Sequence, residues 1–250
     1  MRVSEHSIRH FTAVSLEDGL LADLSDCQHP TNVYGWGKHT NTLELDAGAT
    51  HYGFVAEGTA CIQGKGYGCE RSYNLGCGMY FSMPGAGRIE GGRGVVISRL
   101  NLGGVFLLGG PIEQTGRLRY IDGCTDSLLI PPVLKGDPCL NHLHFPCNVR
   151  QTLHTHPSIR IGMVVRGKGQ CIVPGDYQDS TLTVPLIPGE VFIIPVGGQH
   201  GFVTSDESID IIAYHPDSDT GPEHDNHPVL NRTFVSGVSA TNIDAIRTRK

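Results

Sequence analysis

Two short stretches decide the fold of this chain: GEVFIIPVGGQH at 189–200 and HTH at 154–156. The first begins as an apolar strand, and the proline and glycines that follow predict a tight turn. His200 then stands at the start of the next strand. In an extended strand, residues i and i+2 face the same side, so His154 and His156 should present both imidazoles to one point. The sequence therefore predicts a β-rich unit that gathers three histidines.

The composition around these stretches favours an all-β protein. Only 18% of the 250 residues are charged, and there are 33 Gly and 15 Pro residues. From residue 40 onward, short apolar or alternating runs are broken by Gly, Pro and Asn, which is typical of a sandwich or barrel. The best helical stretch is SLEDGLLADL at 15–24, where we expect a short helix capped by Ser15.

An approximate internal repeat indicates two similar β units. Gly78-MYFSM-Pro84 has the spacing of Gly189-EVFII-Pro195, and FVAEGTACIQGKG at 54–66 parallels MVVRGKGQCIVPG at 163–175. The predicted organisation follows from this repeat. It is an N-terminal arm with a short helix at 1–39, a first barrel at 40–111, a linker at 112–138, a metal-binding barrel at 139–215 and a polar tail at 216–250.

The spacing of these residues resembles the two motifs of the cupin family. The second motif, a glycine, five residues, proline, one residue, glycine, two residues and histidine, is matched from Gly189 to His200; its terminal asparagine is Thr204 here. The first motif runs from Asn148, in place of a glycine, through His154 and His156 to the closing glycine, with every spacing kept.

The resemblance implies a double-stranded β-helix, or jelly roll, with two such barrels in tandem. It also implies that His154, His156 and His200 bind one divalent metal ion, with Fe(II) favoured and Zn, Mn, Ni or Cu as alternatives. In the first half, Ile89 stands where the second half has His200, and His51 has no second histidine to form an HxH pair. We therefore expect the first barrel to be degenerate and without a metal.

The chain departs from the family at the usual fourth ligand, a glutamate, which is Arg160 here. Arginine cannot bind a cation, so the site resembles that of the three-histidine cupins. A metal held by neutral ligands keeps its charge and suits a small anionic substrate, whose carboxylate Arg160 can pair with; the alternative is an outward salt bridge. His142 or His144 could supply a fourth ligand.

The strand SIDIIAYH at 208–215 follows the second motif and ends in Tyr214 and His215. Alternation places only one of these two side chains inside the barrel. Tyr214 can donate a hydrogen bond to a bound intermediate or cap the end of the barrel. The residues expected to act in catalysis are Arg160, His144 and Tyr214.

Three functions are open for such a site. The first is a mononuclear non-haem Fe(II) dioxygenase acting on a small anionic substrate. The second is a non-redox isomerase, lyase or hydrolase in which Zn, Mn or Ni acts as Lewis acid. The third is a cupin that binds a small molecule without turnover.

The net charge and the search for targeting segments restrict the partners and the location that we expect. The net charge of -6 argues against nucleic acid as a partner, and no apolar run is long enough to span a membrane. The N-terminus lacks an apolar signal segment and the eight cysteines form no CxxC pair, so we expect a cytoplasmic protein with reduced thiols. Exposed edge strands predict a homodimer.

Overall fold

A computed structural model describes residues 9–66, 69–175, 180–224 and 227–246. The all-β class is confirmed, because strands dominate these residues. The first nine strands are β1 (Thr12–Ser15), β2 (Gly19–Leu24), β3 (Thr31–Trp36), β4 (Thr42–Leu45), β5 (Ala49–Gly66), β6 (Cys69–Gly76), β7 (Tyr80–Pro84), β8 (Gly87–Leu100) and β9 (Leu107–Gly109). The next nine are β10 (Leu118–Arg119), β11 (Thr125–Ile130), β12 (Cys139–Phe145), β13 (Arg160–Gly167), β14 (Gly169–Pro174), β15 (Thr181–Leu186), β16 (Glu190–Ile194), β17 (Gly201–Val203) and β18 (Ile209–His215).

The second half of the chain is a sandwich of two antiparallel sheets. The larger has the order β1-β16-β13-β18-β12-β11-β10, and the smaller has the order β15-β14-β17. Apolar side chains from both sheets form one buried cluster, in which Phe192 of β16 lies 5.7 Å from Phe202 of β17 between ring centroids. Burial of each such side chain contributes about 1.5–3 kcal/mol, so this cluster holds the two sheets face to face.

The first half is an eight-stranded sheet with the order β2-β3-β8-β5-β7-β9, to which β4 and β6 add through β8 and β5. Its long strands β5 and β8 bend where their pairing register shifts, between Val55 and Ala60. Bulges of this kind bend a strand and increase its local twist. The division of the molecule into two tandem barrels stays a prediction.

A second buried cluster joins the two halves. It contains Tyr52 and Phe54 from β5 with Met163 of β13 and Tyr214 of β18, and the rings of Tyr52 and Tyr214 lie 5.2 Å apart. The outer face of the larger second-half sheet is therefore covered by the first half. Side chains on its opposite face line the interior of the sandwich.

The segment 15–24 is extended, so the short helix predicted there is wrong. Gly19, the first residue of β2, adopts a φ of +90°, a conformation that interrupts a helix. Strand β1 then pairs with β16 of the second half, while β2 pairs with β3. Pairing with existing sheet edges outweighs the weak helical preference of this segment.

Two predicted irregular segments contain regular structure. Within 112–138, expected to be a linker, β10 and β11 extend the larger second-half sheet. The predicted polar tail contains the helix α1 (Pro228–Arg232) and a hairpin of β19 (Phe234–Val235) and β20 (Val238–Ser239). Short 3-10 turns lie at Ile121–Gly123, Ala240–Asn242 and Asp244–Ile246. Among the described residues, no helix is long and apolar enough to cross a membrane.

Candidate metal centre

The structure brings His154, His156 and His200 together. One ring nitrogen from each lies within 4.8 Å of the others, and the three ring centroids are 4.5–5.2 Å apart. Within the described parts of the chain, this is the one group of three or more His, Cys, Asp or Glu side chains close enough to hold a metal ion.

Backbone hydrogen bonds place the three histidines. The N–H of His154 donates to the carbonyl of His200 at 2.9 Å, and the N–H of His200 donates back at 3.0 Å. The N–H of Gly197 donates to the carbonyl of His156 at 3.0 Å. His154 therefore belongs to an isolated bridge rather than to the regular strand expected from the HxH pattern, and its partner is the turn that carries His200.

Local contacts also set the tautomers of two of the rings. Nδ1 of His154 lies 2.8 Å from the carbonyl oxygen of Thr152, and Nδ1 of His200 lies 2.9 Å from that of Gly198. A carbonyl only accepts, so each Nδ1 carries the proton and donates it. The lone pair is then on Nε2, which is the arrangement seen in metal-ligating histidines.

Burial keeps two of these histidines, His156 and His200, uncharged near neutral pH. Burial and the nearby Arg160 lower the pKa of His156 to about 3, and burial lowers the pKa of His200 to about 4. A metal ligand must be a neutral imidazole. The donor set therefore fits a divalent transition-metal ion held by three neutral ligands.

The three histidines line a small cavity of about 90 Å³ inside the sandwich. Its apolar walls come from both sheets and its polar wall from one end of the larger sheet. The lining residues are Tyr120, Asp126, Leu143, Phe145, Gln151, His154, His156, Arg160, Phe192, Ile194, His200, Phe202, Ala213 and His215.

Arg160 faces this cavity, with a side chain only 12% exposed. Nη1 of Arg160 donates to the carbonyl oxygens of Ser158 and Ile159 at 3.3 and 3.0 Å, and it lies 3.7 Å from Oδ1 of Asp217. Burial lowers the pKa of Arg160 and Asp217 opposes that shift, but a guanidinium stays charged. The metal cavity therefore has a permanent cation in its wall.

His144 and His142 lie on the opposite face of their strand, so neither can act as a fourth ligand. Leu143 and Phe145 of β12 line the cavity, and strand alternation turns the histidines away. Nε2 of His142 and Nδ1 of His144 lie 2.7 and 3.0 Å from Oδ1 of Asp210. The expectation that His144 acts at the metal is corrected by this placement.

Tyr214 is also directed away from the cavity. Its ring is fully buried against Tyr52 in the core between the two halves. His215, the next residue, lines the cavity instead, and burial lowers its pKa to about 3. Alternation along β18 left the choice between the two open, and the structure selects His215, so the catalytic role expected for Tyr214 is wrong.

Asp126 is a site residue that sequence reasoning missed. It lies on β11, in the stretch predicted to be a linker, and its side chain lines the cavity. Burial raises its pKa to about 6, opposed by a hydrogen bond from Nδ2 of Asn141 to its Oδ2 at 3.2 Å. The surrounding sequence has no clear apolar period, so no signal marked it as a strand.

A larger cavity of about 720 Å³ adjoins the metal cavity. Three residues line both cavities: Asp126, Arg160 and His215. The larger cavity extends from them to Asn141 and to the loop at 217–220. These three side chains therefore form the boundary between the metal cavity and a space open to larger molecules.

The corresponding positions of the first half have other roles. Ile89 is fully buried in the apolar core of that half. The ring nitrogens of His51 lie 2.8 Å from Oγ of Ser98 and 2.9 Å from the carbonyl oxygen of Asp46. His51 is therefore engaged in structural hydrogen bonds at both nitrogens.

No protein-family model and no curated protein matches the chain. Solved structures of oxalate decarboxylase from Bacillus subtilis do match. One, concerned with the Mn(II) centres of that enzyme, is 11% identical with a TM-score of 0.55 and covers 88% of this chain and 76% of that chain. Another, at pH 4.6, is 11% identical with a TM-score of 0.54 and covers 89% and 76%. At this identity the likeness establishes the cupin fold.

Proposed function

We propose that this chain is a metal-dependent enzyme that catalyses non-redox lyase chemistry, such as decarboxylation, on a small carboxylate. The observation that carries the proposal is the position of Arg160 in the wall of the cavity lined by His154, His156 and His200. A cation beside a cluster of neutral metal ligands suits an anionic substrate. The likeness to an oxalate decarboxylase with Mn(II) centres supports the same class of reaction.

The three histidines would hold a divalent metal, and a metal bound there supplies Lewis-acid polarisation of a substrate oxygen. Arg160 would bind and orient the substrate carboxylate by a charge-assisted hydrogen bond. Phe145, Phe192 and Phe202 give the cavity an apolar wall, which lowers the local dielectric and so strengthens these polar interactions. Asp126, with a raised pKa, is suited to hold or release a proton near pH 6.

This proposal takes the second of the functions expected from the sequence rather than the first. The three-histidine set without a carboxylate ligand is compatible with an Fe(II) dioxygenase, but the same imidazoles bind Mn, Zn or Ni. The solved neighbours support a decarboxylating enzyme and Mn(II). We therefore place Mn(II) before Fe(II) as the metal of this site.

A reconstitution experiment tests the proposal. The purified protein is stripped with chelator, reloaded separately with Mn(II), Fe(II) or Zn(II), and incubated with a panel of small mono- and dicarboxylates. We expect substrate loss with release of CO2 and no net uptake of O2. Uptake of O2 in proportion to substrate loss would support the dioxygenase instead, and no turnover with any metal would leave a binding protein. His200→Ala, treated identically, is the inactive control.

A further inference from the structure

Three buried polar atoms without partners gather where the two cavities meet. They are Oδ1 of Asp126, Oδ1 of Asn141 and Nε of Arg160, none of which has a hydrogen-bond partner in the described part of the chain. Asp126 and Arg160 line both cavities, and Asn141 lines the larger one. Two acceptors and one donor are therefore collected on one polar wall.

The topology of the larger sheet explains this grouping. Strands β13, β18, β12 and β11 are successive neighbours, and their pairing places Cys139 opposite His215 and Ile161 opposite Tyr214. Because side chains alternate, Arg160, His215 and Asn141 share the face that also carries Asp126. The Asn141-to-Asp126 hydrogen bond of 3.2 Å links the outer pair.

Such atoms are costly in a folded protein. A buried donor or acceptor left unpaired destabilises the folded state, and native proteins contain few of them. The Asn141 amide is also oriented, because its nitrogen donates to Asp126 and its oxygen is left to accept. A ligand that brings an acceptor for Nε of Arg160 and one O–H group would pair with the guanidinium and share its proton between the two oxygens.

We propose that this polar wall, formed by Asp126, Asn141 and Arg160, selects a small carboxylate that also carries a hydroxyl group. The carboxylate pairs with Arg160, and the hydroxyl shares its single proton between the oxygens of Asp126 and Asn141 in a three-centre hydrogen bond. This inference rests on the proposed function and names its substrate class, a hydroxycarboxylate. A second carboxylate in place of the hydroxyl would be repelled by the negative charge of Asp126 and would bring no donor for the two oxygens. A dianion is therefore selected against.

Matched ligand pairs that differ by one hydroxyl test the inference: lactate against propionate, and glycolate against acetate. Affinities are measured by ligand-observed NMR titration on chelator-stripped protein near neutral pH, so that chelation of a metal by the hydroxyl cannot contribute. We expect the hydroxylated member of each pair to bind about tenfold more tightly, which corresponds to about 1.4 kcal/mol. Equal affinities, or no binding of either member, would overturn the inference.

Variants assign the preference to its residues. Asp126→Leu removes one acceptor, and Asn141→Ala removes the other without burying a new polar group; each should reduce the preference to about twofold or less. Glu113→Leu is the matched control, because Glu113 lines the larger cavity but pairs with the exposed Arg117. A preference that survives in both test variants would overturn the inference, and thermal unfolding of each variant verifies that it is folded.

Turnover measured separately on Mn(II)-loaded protein distinguishes the two proposals. A retained hydroxyl preference without turnover would overturn the lyase function alone. Turnover of carboxylates without a hydroxyl preference would overturn the assignment of the polar wall alone.

Discussion

His154 and His200 are joined by two backbone hydrogen bonds, 2.9 and 3.0 Å long, and their rings lie 4.5 Å apart. The bridge is made by backbone atoms, so it persists when either side chain is shortened. The imidazoles can therefore be removed one at a time while the loops that carry them stay paired. This separates the metal-binding role of each ring from its role in folding.

We expect His154→Ala, His156→Ala and His200→Ala each to lower metal affinity by more than about a hundredfold. Loss of a group that only hydrogen-bonds to a metal ligand already costs about tenfold to a hundredfold in affinity, and these residues are the ligands themselves. Metal content of protein purified without oxygen, measured by elemental analysis, checks the prediction. His144→Ala is the control, because His144 lies on the opposite face of the sheet. Full metal occupancy in any of the first three variants would remove that residue from the ligand set.

Arg160→Leu should raise KM for a carboxylate substrate by about tenfold to a hundredfold, because a hydrogen bond to a charged group contributes about 1.5–3 kcal/mol. Metal content should stay the same, since arginine is not a ligand. Steady-state kinetics with parallel metal analysis make the measurement, and Arg160→Lys should recover part of the affinity. Loss of metal in Arg160→Leu would show instead that the arginine supports the histidine loops.

The part of the site that could be predicted is the part whose geometry is set by residues close together in the sequence. The turn from Gly189 to His200 and the pair His154 and His156 carry their spacing in the chain itself. Register and face were not predictable in the same way. A shift of one residue reverses every side chain of a strand, and nothing local distinguished Tyr214 from His215 as the inward residue.

Long-range pairing accounts for the remaining differences. Asp126 belongs to a strand only because β11 pairs with β12. The sequence around Asp126 has no alternating apolar pattern of a strand. Likewise, residues 19–24 pair with β3 instead of forming a helix. In both segments the strand state depends on a sheet edge that exists only after the rest of the molecule has folded.

Asp210→Asn should lower the free energy of unfolding by about 3 kcal/mol near neutral pH, because the buried carboxylate pairs with His142, His144 and Arg166. Hydrogen bonds from these side chains hold the pKa of Asp210 below its usual value, against the effect of burial. Its stabilisation is therefore present above the unfolded-state pKa and is lost as pH falls through the folded-state pKa. Denaturant unfolding at several pH values measures this; equal stability of variant and wild type near neutral pH would contradict it.

Asp126→Asn should have the opposite effect, because the pKa of Asp126 is raised from 3.8 to about 6 by burial. A carboxyl with a raised folded-state pKa contributes its full stability below the unfolded-state value and loses it as pH rises through the folded-state value. Wild type should therefore lose stability relative to Asp126→Asn between about pH 4 and pH 6, by about 2 kcal/mol. Asparagine keeps an acceptor for Asn141, so the comparison isolates the charge. The same denaturant-unfolding series checks this prediction, and Glu113→Gln is the control for an exposed carboxylate of the larger cavity. A stability difference between wild type and Asp126→Asn that stays constant with pH would mean that Asp126 titrates normally and that its carboxylate is solvated.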